Sequence, residues 1–327
     1  MLSLFRTNQS IANFFLVFYA AIYRILPFFF GTQEWSQHSG ILSESTLAIV
    51  GSGPFSYILA LLLVCFQALL INTAVASYRI TNEVSLFPGL FYILVSSSIP
   101  EFQGLSAPLL ANTFYILALM ELFKTYKKYS SAAEIFNVGL WLAIGSLFYF
   151  SMISFVLLAI FGLVIVRAFR PKEIVMFLCG FFAPYFLINV YYFWTDRWPY
   201  FWQHHFADNF GFFDFAASPL GWEHYVKLGF FALLVIFAIV NYSRFNFKKT
   251  IQVQKYINIL YLGLLCAGLA LMLQANTTLQ HLLLLAPPLG IFLSFTFLNL
   301  NRQLAATLHL LLLFLLLILQ CKPLWMA

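Results

Sequence analysis

The chain has 327 residues, of which 62% are hydrophobic and only 9% charged, and its mean hydropathy is +0.90. Soluble domains carry about a quarter charged residues, so that class is excluded, and the strand-period alternation of an outer-membrane barrel is absent. The remaining class is an all-α polytopic membrane protein, in which a net charge of +6 reflects loop charges that set orientation and does not point to nucleic acid.

Roughly 20 apolar residues cross a bilayer as a helix. Taken in chain order, apolar runs lie near 12–31, 55–77, 88–100, 106–123, 138–150, 152–167, 174–194, 228–243, 256–274, 279–298 and 304–320. Residues 88–100, 138–150 and 152–167 are shorter than a full crossing, so some of them pair as half-helices or extend beyond these ends. The head MLSLFRTNQS is followed by no convincing small-residue cleavage site, and the first span is expected to stay attached. The expectation is one transmembrane domain over residues 1–327, with about 11 crossings.

Lys and Arg fix the orientation. With the N-terminus cytoplasmic, 13 of the 17 basic residues fall in cytoplasmic segments, which places the C-terminus in the periplasm of a bacterial inner membrane. Arg24, Arg197, Lys227 and Lys322 fall on or near the opposite side. Seven of the 11 carboxylates also collect there. The first external loop, 31–54, carries Glu34, His38 and Glu44 and no basic residue. The second, 195–225, is dense in aromatics and reads as a part-helical interfacial segment. That segment is either an aromatic belt with solvating charges or a platform over an external cavity.

Several polar residues stand out against this background. Arg24 lies about six residues from the outer end of the first span, roughly 9 Å at helical rise. It either snorkels to the interface or faces the bundle and pairs with a carboxylate or a phosphate, with Pro27 bending the helix beyond it. Glu34 is a solvated loop acid or, partly desolvated, a general base for an incoming hydroxyl. Glu101, in SSSIPEFQGLSAPLLANTF, is a second carboxylate facing the same cavity or an acid at the start of the next helix. His204, His205 and Asp208 have helical spacing that allows a divalent metal, though no further ligand is close by. His281 opens the tenth span, which Pro287–Pro288 should kink. Cys65, Cys179, Cys266 and Cys321 have no metal-ligand spacing and read as inert helix residues. No nucleotide-binding signature is present, and no other cofactor is implied.

Four stretches resemble the C-type (GT-C) polytopic glycosyltransferases. They are RILPFFFGTQE, the block from LFPGLFYILVSSSIPEF to ELFKTYKK, FNVGLWLAIGSLFYFSMISFVLLAIFGLVIVRAFR and LQHLLLLAPPLGIFLSF, covering about the first 195 residues in order plus 279–298. The chain departs from that family in a lone Glu34, a short first loop and no large external domain. Residues 97–195 also resemble an uncharacterised family of Bacteroidota multi-pass inner-membrane proteins. The GT-C resemblance implies sugar transfer from a polyprenyl-phosphate lipid at the external face. Glu34 and Glu101 would then be catalytic, and Arg24, His281, His205 and Asp208 would bind substrate and phosphate. Two other readings stay open: a non-catalytic subunit of an envelope, secretion or motility complex with protein partners, and a lipid or small-molecule transporter.

Overall fold

Proline sets the start of several helices. It has no N–H to donate, and the first turn of a helix leaves its N–H groups without intrahelical partners, so proline costs nothing there. In the computed structural model, which describes residues 5–6, 10–30, 40–51, 53–81, 83–167, 169–211, 221–273 and 278–320, six helices begin this way. The helices are α1 (Ser10–Phe30), α2 (Ile41–Val50), α3 (Pro54–Ser77), α4 (Phe87–Ser96), α5 (Ala107–Lys124), α6 (Ala132–Phe148), α7 (Phe155–Val166), α8 (Pro171–Trp194), α9 (Trp198–Phe201), α10 (Trp222–Val240), α11 (Tyr242–Asn246), α12 (Ile251–Met272), α13 (Ala286–Asn299) and α14 (Arg302–Gln320). Short 3-10 segments, Pro100–Phe102, Phe150–Ser154 and Leu279–Leu285, join α4 to α5, α6 to α7 and α12 to α13. No strand occurs among the described residues.

Five segments are long and apolar enough to cross a membrane: Pro54–Ser77, Ala107–Lys124, Pro171–Trp194, Ile251–Met272 and Leu279–Asn299. Six shorter apolar helices of 10–17 residues accompany them among the described residues. The short runs at 88–100, 138–150 and 152–167 are indeed broken: α4 stops at Ser96, and α6 and α7 meet at a 3-10 corner. The prolines at 287 and 288 do not kink a helix as the sequence led us to expect; they begin α13, and the chain before them is a 3-10 coil. The segment expected to be the first external loop contains the helix α2, and Tyr200 of the aromatic segment donates to Glu44 on it at 3.4 Å.

Helix packing follows the small residues. A Cβ on Gly139 of α6 would lie 2.2 Å from the Phe177 carbonyl oxygen of α8, and one on Gly180 of α8 would lie 2.1 Å from the Phe136 carbonyl oxygen of α6. The two backbones are therefore in contact, as small residues permit between membrane helices. All ten residues of α4 are buried, with α3 and α13 packed against it. Phe182, Phe186 and Leu187 on α8 and Leu233, Ile236 and Val240 on α10 are exposed, which is the outer face lipid would cover. A helix that breaks inside such a bundle is tolerated only where protein surrounds the break, and the break after α4 is where the polar residues collect.

Candidate functional site

The turn between α4 and α5 runs from Ser97 to Ser106. Pro100 prevents α4 from continuing, and the last carbonyls of α4 are left without intrahelical donors. Arg24 of α1 supplies donors. The residue is 4% exposed, and its guanidinium donates from Nη2 to the carbonyl oxygens of Ser96 (2.9 Å) and Phe102 (3.2 Å). Nη1 donates to the Gln103 carbonyl (2.9 Å) and Nε to Ser97 Oγ (3.2 Å). Four of the five N–H groups of an arginine are thus used, and all four acceptors are uncharged. The cation also sits at the negative end of the α4 dipole. Arg24 does not snorkel; it faces the bundle and holds the turn.

Glu101 sits in the 3-10 turn and its Oε1 forms an ion pair with Lys227 Nζ of α10. Phe102 packs edge-to-face on Phe231, one turn along α10, at 5.6 Å between ring centres. Gln103 donates from Nε2 to the Ser97 carbonyl at 3.0 Å. Three polar atoms of this turn, Glu101 Oε2, Gln103 Oε1 and Ser106 Oγ, are buried and have no hydrogen-bond partner among the described residues. Sequence reasoning missed Lys227. Its signal was available: a lone cation inside an apolar helix demands a partner.

His281 lies on the Leu279–Leu285 segment, which packs against the Pro100–Phe102 turn. It is 1% exposed. Its Nδ1 is 2.8 Å from Tyr149 Oη and its Nε2 is 3.4 Å from Thr278 Oγ1. Arg24 therefore reaches the turn that carries Glu101, and the segment that carries His281 packs beside it. Glu34 lies outside the described residues, as do His38 and Asp214.

His205 and Asp208 belong to a second cluster and do not converge. Residues Trp202–Ala207 form a π-helical turn, wider than an α-turn. That register turns His205 inward and leaves His204 to pair with Asp208, Nδ1 to Oδ2, at 3.1 Å. His205 is fully buried among the rings of Phe150, Phe201, Phe206 and Tyr185. Its Nε2 is 3.3 Å from Tyr185 Oη, which is 2.8 Å from Ser146 Oγ. Burial lowers its pKa to about 4, so the ring is neutral at pH 7. No group of three or more His, Cys, Asp or Glu side chains gathers as metal ligands among the described residues. The two clusters meet at the α6–α7 corner, where Tyr149 bonds His281 and Phe150 abuts His205.

A family model matches residues 41–322, nearly the whole described bundle and both clusters except Arg24. The chain belongs to the family of unknown function DUF6427. A search of the curated proteins found no match. Among solved structures the chain is similar to the crystal structure of ArnT from Cupriavidus metallidurans bound to undecaprenyl phosphate, at 14% identity and a TM-score of 0.45. The match covers 87% of this chain and 56% of that one, so the chain spans little more than half the length of that protein.

Proposed function

We propose that this protein is a GT-C-like glycosyltransferase of a bacterial inner membrane, crossing it eleven times with the N-terminus cytoplasmic and the C-terminus periplasmic. It transfers a sugar from a polyprenyl-phosphate carrier at the external face. The observation that supports this reading is the turn after α4. Inside an apolar bundle it holds two acceptors, Glu101 Oε2 and Gln103 Oε1, and a hydroxyl, Ser106, that have no partner among the described residues. Buried polar groups are otherwise almost always bonded, and in a membrane protein such groups mark substrate sites. Acceptors call for a ligand rich in hydroxyl donors, as a sugar is.

The chemistry assigned to the site balances simply. The C1–O bond to the carrier phosphate breaks, and the lipid phosphate leaves with that electron pair. The acceptor oxygen bonds C1 and loses its proton to a carboxylate, Glu34 or Glu101 in this reading. Lys227 pairs with Glu101 and orients the carboxylate in the turn. In this reading His281 donates to the departing phosphate. Arg24 contributes by fixing the turn, since one N–H at most remains for a phosphate. His205 and Asp208 order the aromatic segment that covers the sugar. The test is Glu101→Gln and Glu34→Gln, made singly, with the lipid-linked sugar pool measured in cells and folding checked by thermal unfolding. Each is expected to raise the pool and deplete the glycosylated product. Folded variants with an unchanged pool would remove the catalytic assignment.

A further inference from the structure

At the opposite end of the bundle the loops α5–α6 and α7–α8 lie side by side, held by Arg167. Its Nη1 donates to the carbonyls of Thr125 (3.1 Å) and Lys128 (2.8 Å) and to Ser131 Oγ (2.5 Å), and its Nη2 pairs with Glu173 at 3.1 Å. One guanidinium thus crosslinks two loops and is spent in doing so. The carboxylates nearby are spent too: Glu121 pairs with Lys124, Glu134 with Lys128, and Glu173 with Arg167.

The remaining cations are surplus. Lys127 and Lys172 are exposed and form no ion pair among the described residues, and Arg170, 64% exposed, reaches Glu173 only at 4.0 Å. Lys127 also adopts a left-handed backbone, φ 54°, which a lysine rarely takes and which the surrounding structure must enforce. Two aromatic side chains stand free beside these cations: Tyr129 is fully exposed and Phe169 is 61% exposed. The patch lies at the ends of two segments long and apolar enough to cross a membrane, Ala107–Lys124 and Pro171–Trp194. It is therefore level with the headgroups.

We infer that this patch is a binding site for anionic phospholipid, with Lys127, Arg170 and Lys172 on the headgroup phosphates and Tyr129 and Phe169 seated at the headgroup level. Aromatic rings favour that depth, and basic residues beside a membrane span attract anionic lipid. The site is independent of the sugar-transfer reading, since it lies at the other end of the helices.

The full-length protein is placed in nanodiscs of phosphatidylcholine alone or mixed with phosphatidylglycerol, and binding of a fluorescent phosphatidylglycerol is measured together with thermal unfolding. The wild type is expected to enrich phosphatidylglycerol and unfold at a higher temperature in the mixed discs, with both effects suppressed at high salt. Replacing Lys127, Arg170 and Lys172 together by Gln is expected to weaken lipid binding on the order of a hundredfold at low ionic strength. Arg244→Gln with Lys248→Gln, on the α11 loop, should leave it intact. Inorganic phosphate added to phosphatidylcholine discs should not reproduce the stabilisation. Equal enrichment in the triple variant, loss in the α11 control alone, or salt-independent binding by the wild type would overturn the assignment. The wild-type salt response decides the matter even if the triple variant fails to fold.

Discussion

Replacing Arg24 by Met tests whether the guanidinium is a strut or a substrate ligand. Met keeps the length and apolar bulk of the side chain but removes donors from three backbone carbonyls and Ser97 Oγ. Hydrogen bonds between membrane helices average about 0.6 kcal/mol and reach about 1.7 kcal/mol, so four of them represent roughly 2 to 7 kcal/mol. Removing a buried charge recovers part of its desolvation cost, which places the net loss near the low end, about 3 kcal/mol. Arg24→Lys keeps the cation at the α4 terminus, but one ammonium cannot span acceptors that a planar fork reaches, and about half the loss is expected. The assay is chemical unfolding in detergent micelles, with solvent labelling of a cysteine placed at Ser98 to report the turn. Arg24→Met should unfold earlier and label faster, and Arg24→Lys should fall between it and the wild type. If Arg24→Met lies within about 1 kcal/mol of the wild type and labels at the same rate, the turn stands without the arginine, and the positioning role is wrong.

Two further predictions come from packing and from titration. Gly139→Ala or Gly180→Ala would drive a methyl into a backbone carbonyl 2.2 or 2.1 Å away, so α6 and α8 must part; each is expected to cost more than about 2 kcal/mol, and unfolding at wild-type temperature would refute the close approach. His205 has a folded pKa of about 4, below its ordinary 6.5, so it contributes no penalty above pH 6.5, and stability falls as the unfolded chain alone takes the proton between pH 6.5 and 4. The loss is about 1.4 kcal/mol per pH unit and about 3 kcal/mol in all. His205→Asn should flatten that part of the stability profile, and an unchanged slope would show that the buried ring is not its source.

The membrane class, the broken runs and the oddity of Arg24 were legible because each is a local property of composition or spacing. The short run before Pro100 had to end, and an arginine among apolar residues had to snorkel or find partners. Which partners was not legible. Arg24 meets carbonyl oxygens, which every residue carries and no sequence pattern marks. Glu101 meets Lys227, 126 residues later. His205 and Asp208 share a helical spacing in the sequence, but a π-turn separates them and gives Asp208 to His204.

The sequence by itself determined that the chain is an all-helical membrane protein, that the short run before Pro100 ends, and which few polar residues stand within apolar runs. Those follow from transfer free energy and from the geometry of proline, both of which act within a few residues. Only the tertiary structure decided that Arg24 supports a turn, that Glu101 is paired through one oxygen while the other is buried without a partner among the described residues, and that His281 is buried against Tyr149. Those depend on which helices touch, and close backbone contact at Gly139 and Gly180 fixes that for α6 and α8 across some 40 residues of chain.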